Sequence, residues 1–135
     1  MHRVTLDTNI YVSGLEFGGA PLRLLQMAVD GEIEIAISQP IMDETTRVLR
    51  DKFGRSEERL AETEEWIRSF TRLVVPKQAL DVIKEDPPDN RILECAEAAF
   101  SEFIVSGDQH LLRIKQHGNA RIVKVADFLA IGNEK

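Results

Sequence analysis

Short apolar, β-branched runs alternating with helical segments predict an α/β fold with a mainly parallel sheet. Three observations carry that reading. The runs Val4–Leu6, Ile33–Ile37, Leu73–Val75, Phe103–Val105 and Ile122–Val123 are strand-sized and apolar on both sides, as strands covered on two faces are. Between most of them lie stretches with apolar residues at helical spacing. Two of the runs end in polar turns that carry an acid.

The elements follow in order. Val4-Thr5-Leu6 is the first strand, and Asp7-Thr8-Asn9 reads as a polar turn after it. Pro21 to Val29 carries Leu22, Leu25, Met27 and Val29 near one stripe, with Gly31 closing the helix. Ile33–Ile37 is a strand. Ser38 with Pro40 starts a helix reaching about Arg50, with Ile41, Val48 and Leu49 on its inner face. Ser56 opens another, with Leu60, Trp66, Ile67 and Phe70 inward. Leu73–Val75 is a brief strand before Pro76. Asp86-Pro87-Pro88 introduces a helix bearing Ile92, Leu93, Ala96, Ala99 and Phe100, with Asp86 as its cap. The strand Phe103–Val105 leaves through Ser106-Gly107-Asp108. A helix with Leu111, Leu112 and Ile114, the strand Ile122–Val123 and a helix from Val125 to Ile131 complete the chain. The 135 residues fit one domain.

No apolar run approaches the length of a membrane span, and the segment after Met1 turns polar too early for a secretory leader. A cytoplasmic protein with no membrane association is expected. The single cysteine, Cys95, excludes an internal disulfide or a cysteine-rich zinc site, and among apolar helix positions it reads as a buried structural thiol. The net charge of −6 weighs against nucleic acid as a partner. Much of the acidity lies on one helix, at Glu57, Glu58, Glu62, Glu64 and Glu65. With that face solvated and four further acids neutralised by metal, the balance permits RNA without arguing for it.

Those four acids are Asp7, Glu44, Asp89 and Asp108. Asp7 and Asp108 follow strands at their carboxyl ends, where open α/β sheets bind ligands. Each also has a local explanation. Asp108, before Gln109-His110-Leu111-Leu112, suits a helix N-cap. Glu44 lies three after Ile41 and four before Val48, on the inner stripe, whereas Asp43 points about 100° away; an edge position paired with Arg47 explains it equally. Asp89 shares the face of Ile92 and Leu93, yet an acid at the third helix position is ordinary. Four acids sent to one sheet edge would repel, and a hard divalent cation, Mg²⁺ or Mn²⁺, resolves the crowding.

Asp7-Thr8-Asn9 after the first strand, Ser38-Gln39-Pro40-Ile41-Met42-Asp43-Glu44, Asp86-Pro87-Pro88-Asp89-Asn90 and Val105-Ser106-Gly107-Asp108, closed by Val123-Lys124-Val125-Ala126-Asp127-Phe128-Leu129, resemble in order and spacing the motifs of the PIN domain. They are closest to its VapC-like toxins of toxin–antitoxin pairs. The resemblance spans essentially the whole chain, 1–135, as a single nuclease domain. It implies an α/β/α sandwich of strand order 3-2-1-4-5, dependence on Mg²⁺ or Mn²⁺, and cleavage of single-stranded RNA. By it, Asp7, Glu44, Asp89 and Asp108 are the catalytic and metal-binding acids, with Asn9 and Ser38 behind them. An antitoxin partner and a homodimer are implied too. Trp66, Ile67 and Phe70, within five positions of one helix, span a broad arc: either the sheet face takes all three, or they offer an apolar surface for a second copy. Many relatives carry another acid two residues after the fourth. Here that residue is His110, which implies a weaker second metal or one that needs substrate phosphate.

Arg47, Arg91 and Lys115 are the candidate guides for the RNA strand, by nearness in sequence to the acidic segments. Two rival classes stand beside the nuclease. A Rossmann-like phosphatase would use an Asp-x-Asp nucleophile, and Asp7-Thr8-Asn9 lacks the second acid. A catalytically idle PIN-like module binding RNA or protein would keep the acids without cleavage. Metal titration with an RNA-cleavage assay separates the three.

Overall fold

The computed structural model describes residues 1–132. Its sheet is built from β1 (His2–Leu6), β2 (Ile33–Ser38), β3 (Thr71–Val74), β4 (Phe103–Val105), β5 (Gln116–His117) and β6 (Ala120–Val123), in the order β3-β2-β1-β4-β6-β5. All neighbours are parallel except β5 and β6, which form an antiparallel hairpin. The α/β class holds, and the expected order 3-2-1-4-5 is its parallel part. The additional strand, β5, is the difference. It is a two-residue edge strand with no apolar run to announce it, held by pairing of His117 with Ala120 around the turn at Gly118.

The helices are α1 (Thr8–Phe17), α2 (Gly19–Val29), α3 (Gln39–Phe53), α4 (Glu57–Phe70), α5 (Asn90–Ala99), α6 (Gln109–Ile114) and α7 (Val125–Gly132). Right-handed crossovers from β1 to β2 to β3 run one way along the sheet, and those from β3 to β4 to β6 run the other. The first set puts α1 to α4 on one face and the second puts α5 and α6 on the opposite one, giving three layers. The direction of winding reverses beside β1, between β1 and β4.

One helix differs from the sequence expectation. The turn read at Asp7-Thr8-Asn9 is the start of α1: Asp7 is extended (φ −62°, ψ 147°) and caps the helix by accepting from the Asn9 N–H. Tyr11 and Val12 are β-branched or aromatic and Gly14 interrupts the stripe, which hides the helical period. Gly14 has a packing reason, because a Cβ there would sit 3.1 Å from Leu22 N and from Leu25 Cδ1. The small residue lets α1 lie close against α2.

The main apolar core covers the sheet, with Leu6, Ile35, Ile37, Leu93, Ile104 and Val105 fully buried, and a smaller cluster of Val12, Leu49 and Leu60 joins α1, α3 and α4. Cys95 lies in it as expected, and burial pushes its thiol up to about 11. The apolar surface expected on α4 is smaller than its sequence implies. Ile67 is fully buried, Phe70 packs partly against the core, and Trp66 alone remains about a third exposed, its ring 4.7 Å from that of Phe70. Among the described residues no helix is long and apolar enough to cross a membrane.

Candidate functional site

The strand register and a backbone hydrogen bond bring the ends of β1 and β4 together. The register pairs Leu6 with Val105, and the Asp7 N–H donates to the Val105 carbonyl at 3.0 Å. Asp7 thus leaves the sheet at the point where its winding reverses, the position at which open α/β sheets bind ligands. Ser106 continues from β4, tied by its N–H to the Val123 carbonyl. Its hydroxyl donates to Asp7 Oδ2 at 2.7 Å and accepts from the Asp108 N–H at 2.9 Å. One buried serine therefore fixes two of the expected acids. The sequence reading passed over Ser106; its place between a strand and an acid was the available signal.

Asp89 reaches the same place from α5, which runs antiparallel to the strands and so begins at their carboxyl edge. A 3₁₀ turn, Pro87–Asp89, precedes α5, and both prolines suit it because neither needs a backbone donor at a helix start. Asp86 was expected to act only as a cap. Its carboxylate makes no capping hydrogen bond; instead one ligand atom from each of Asp86, Asp89, Asp108 and His110 lies within 4.8 Å of the others. Asp108 does cap, accepting from the His110 N–H at 2.7 Å, while also facing this group. Capping and clustering coexist there.

The cleft lined by Asp7, Asp86, Asp89 and Asp108, with Ser106 and His110 behind its wall, has a volume near 390 Å³. Asp7, Glu44, Asp51, Asp86, Asp89 and Asp108 give it six carboxylates, against the two cations Arg47 and Lys52; Asn9, Val48, Pro88 and Ile92 form further wall. Glu44 thus joins the other expected acids, but on the rim and half-exposed rather than on the inward stripe. The buried stripe of α3 is Ile41, Met42, Thr45 and Leu49. Arg47 grips both Glu44 oxygens, at 2.6 and 2.7 Å, as the pairing alternative foresaw.

Other expected positions fall elsewhere. Arg91 donates to Glu94 at 2.6 Å and is not part of the cleft. Lys115 ends α6 with φ 68° and is also outside it. Ser38 is buried with its hydroxyl unpartnered and does not line the cleft. Asn9 lines it, and its N–H reaches Asp7 Oδ1 at 3.5 Å. Lys52, unremarked in the sequence, is the cleft cation that makes no ion pair among the described residues.

The electrostatics match the crowding. Burial raises the Asp7 carboxyl above its ordinary value, opposed by the Ser106 hydrogen bond and reinforced by Asp108. Asp89 rises from 3.8 to about 7, first through burial, then through the charges of Asp108, Asp86 and Asp7. Asp89 Oδ2 and His110 Nδ1 are buried atoms without hydrogen-bond partners. Buried polar atoms are normally satisfied; the Tyr11 hydroxyl, Ser38 Oγ and Arg91 Nε are unpartnered too among the described residues, but only Asp89 and His110 belong to a group of side chains that could hold a metal ion.

The family model described as the PIN domain matches residues 3–110. The chain belongs to the PIN domain family. Among solved structures, that of VapBC2 from Rickettsia felis bound to a DNA fragment from its promoter is similar, with a TM-score of 0.63 and 17% identity over 89% of this chain and 96% of that one. At that identity the likeness speaks to fold. No curated protein matches the chain. Around this PIN-domain cleft the donor set of hard carboxylate oxygens with one imidazole fits a divalent cation.

Proposed function

We propose that this chain is a Mg²⁺- or Mn²⁺-dependent endoribonuclease that hydrolyses phosphodiester bonds of single-stranded RNA, as the toxin of a toxin–antitoxin pair. PIN domains are typically nucleases, which supports the hydrolase class. The observation that carries the reading is the convergence of Asp7, Asp89 and Asp108 at the reversal point of the sheet, with Asp89 raised to about 7 by burial first and then by the charges of its neighbours. Such a group favours a cation strongly.

Asp89 and Asp108, with Asp86 beside them, would hold the cation. Asp7 stands ready behind Ser106, and Glu44 faces them from the rim. When bound, the cation supplies a nucleophile near neutral pH and stabilises charge developing on the phosphate. The side chains do the rest. Ser106 keeps Asp7 and Asp108 in register, so neither carboxylate reorganises as charge develops. Lys52 at the cleft wall guides the RNA backbone, in place of Arg91 and Lys115. Arg47 serves the same end only when it loosens from Glu44. Six carboxylates repel phosphate, so cation binding precedes RNA binding.

Residues 1–135 would act as one nuclease domain, as a cytoplasmic homodimer with metal sites opening into a shared groove and an antitoxin as partner. The VapBC2 likeness supports the antitoxin part of the reading. The test is cleavage of a labelled, unstructured RNA in Mn²⁺, in EDTA and with Asp7→Asn. Internal cuts that need Mn²⁺ and the Asp7 carboxylate support the proposal. Bound Mn²⁺ with no cleavage would leave a binding module instead.

A further inference from the structure

We infer that His110 is a direct ligand of the bound cation, and that its imidazole biases the site toward Mn²⁺ and other borderline divalent cations over Mg²⁺. The inference rests on the proposal that the cleft holds a cation, and it adds a ligand of a different chemical kind.

His110 is the second residue of α6 and is pinned by its own backbone, whose N–H donates to Asp108 Oδ1 at 2.7 Å. The ring turns back over the acids. Its Nδ1 lies 3.7 Å from Asp108 Oδ1 and 4.0 Å from Asp89 Oδ2. Both separations are too long for hydrogen bonds, and neither Nδ1 nor Asp89 Oδ2 has any other partner or access to water. Two unpartnered atoms 4.0 Å apart fit ligands on nearly opposite sides of one ion, since two metal–ligand bonds of about 2.1 Å each span about 4.2 Å at most. The further ligand atoms on Asp86 and Asp108 keep within 4.8 Å of both. The remaining histidines are engaged elsewhere: His2 with Glu102 and His117 with Glu97.

The consequence is selectivity. Mg²⁺ favours oxygen ligands and parts reluctantly with water, whereas imidazole suits the later divalent metals and Mn²⁺ accepts mixed oxygen and nitrogen sets. A site of carboxylates alone gives up less Mg²⁺ affinity than one in which a ring nitrogen takes a coordination position.

The experiment is pulsed electron paramagnetic resonance on the whole chain loaded with one equivalent of Mn²⁺, which reads directly bonded nitrogen as a modulation of the echo. The wild type should show that modulation, His117→Gln should keep it, and His110→Asp should lose it while still binding Mn²⁺. Competition titration should show the preference for Mn²⁺ over Mg²⁺ falling about tenfold or more in His110→Asp. His110→Gln is the second variant if the added acid prevents folding. Wild-type Mn²⁺ without nitrogen modulation, modulation that survives both His110 substitutions, or no Mn²⁺ binding would each overturn the inference. RNA cleavage measured on the same samples reports on the ribonuclease proposal separately, because a site with carboxylate ligands alone still supports cleavage.

Discussion

Asp89→Asn should make the cation-free protein more stable at pH 8, although it removes a residue of the proposed site. In the folded chain the Asp89 carboxyl is raised from 3.8 to about 7 by burial, then by Asp108, Asp86 and Asp7. At about 1.36 kcal/mol per pH unit, the whole shift corresponds to a penalty of about 4 kcal/mol above pH 7. The carboxyl opens on a cleft that water reaches, so screening lowers this to about 1–2 kcal/mol. A charge at the start of α5 returns about 0.3–1 kcal/mol through the helix dipole, which leaves a net gain near 1 kcal/mol for the asparagine. For a chain of this length that is a rise of about 3–6 °C in Tm. The sign with pH follows from the raised value. Between pH 4 and 7 the folded state holds a proton that the unfolded state has released, so wild-type stability falls as pH rises through that window. The asparagine advantage is thus complete above pH 7, about a third as large at pH 5 and absent below pH 4. Thermal unfolding in EDTA at pH 8 and pH 5 measures it. Adding Mn²⁺ should then raise the wild-type Tm and leave Asp89→Asn nearly unmoved. Equal Tm values in EDTA at both pH values, or a variant less stable at pH 8, would refute the account of mutual repulsion.

Glu44→Gln should abolish RNA cleavage and move Tm by no more than a few degrees, since Glu44 is half-exposed and its partner is a surface arginine, while Asp43→Asn should change neither; loss of cleavage from Asp43→Asn would show that the face of α3 is misassigned. Ser106→Ala should cost about 1–3 kcal/mol in chemical denaturation, because it leaves a buried Asp7 oxygen and the Asp108 N–H unpaired, and should weaken Mn²⁺ binding; unchanged affinity would mean that Ser106 does not position the acids. Sedimentation at micromolar concentration should give a dimer, and Trp66→Glu a monomer, whereas a wild-type species at 15.3 kDa refutes the dimer.

The parallel framework was legible because its strands are short, apolar and fully buried, as at Ile35–Ile37 and Phe103–Val105. Two helix caps were legible, Ser56 accepting from the Arg59 N–H and Asp108 from the His110 N–H, whereas Ser38 and Asp86 begin their helices without a side-chain capping hydrogen bond. The first helix was not legible, since Asp7 serves as both strand exit and cap, and Gly14 answers to a neighbour distant in sequence. The expected acids do share one cleft, because strand ends and the α5 start are consequences of topology. What spacing alone did not carry is which groups touch. Spacing offered the Arg47–Glu44 pair only as one of two alternatives, and it did not show that Arg91 is drawn onto Glu94 or that Asp86 turns from its backbone to the other acids. Each outcome depends on a rotamer choice and on desolvation, which one-dimensional spacing does not encode. Ser106 and Lys52 were missed for the same reason: one matters through contacts from residue 7 to residue 108, the other through the shape of the cleft.

Anomalous scattering at the manganese edge, from crystals of the wild type soaked in Mn²⁺, tests the central claim most directly. The account predicts a strong peak among Asp86, Asp89, Asp108 and His110 at the carboxyl edge of β1 and β4, absent from crystals of Asp89→Asn. A peak elsewhere on the chain, or none in this cleft at a saturating concentration, would contradict it.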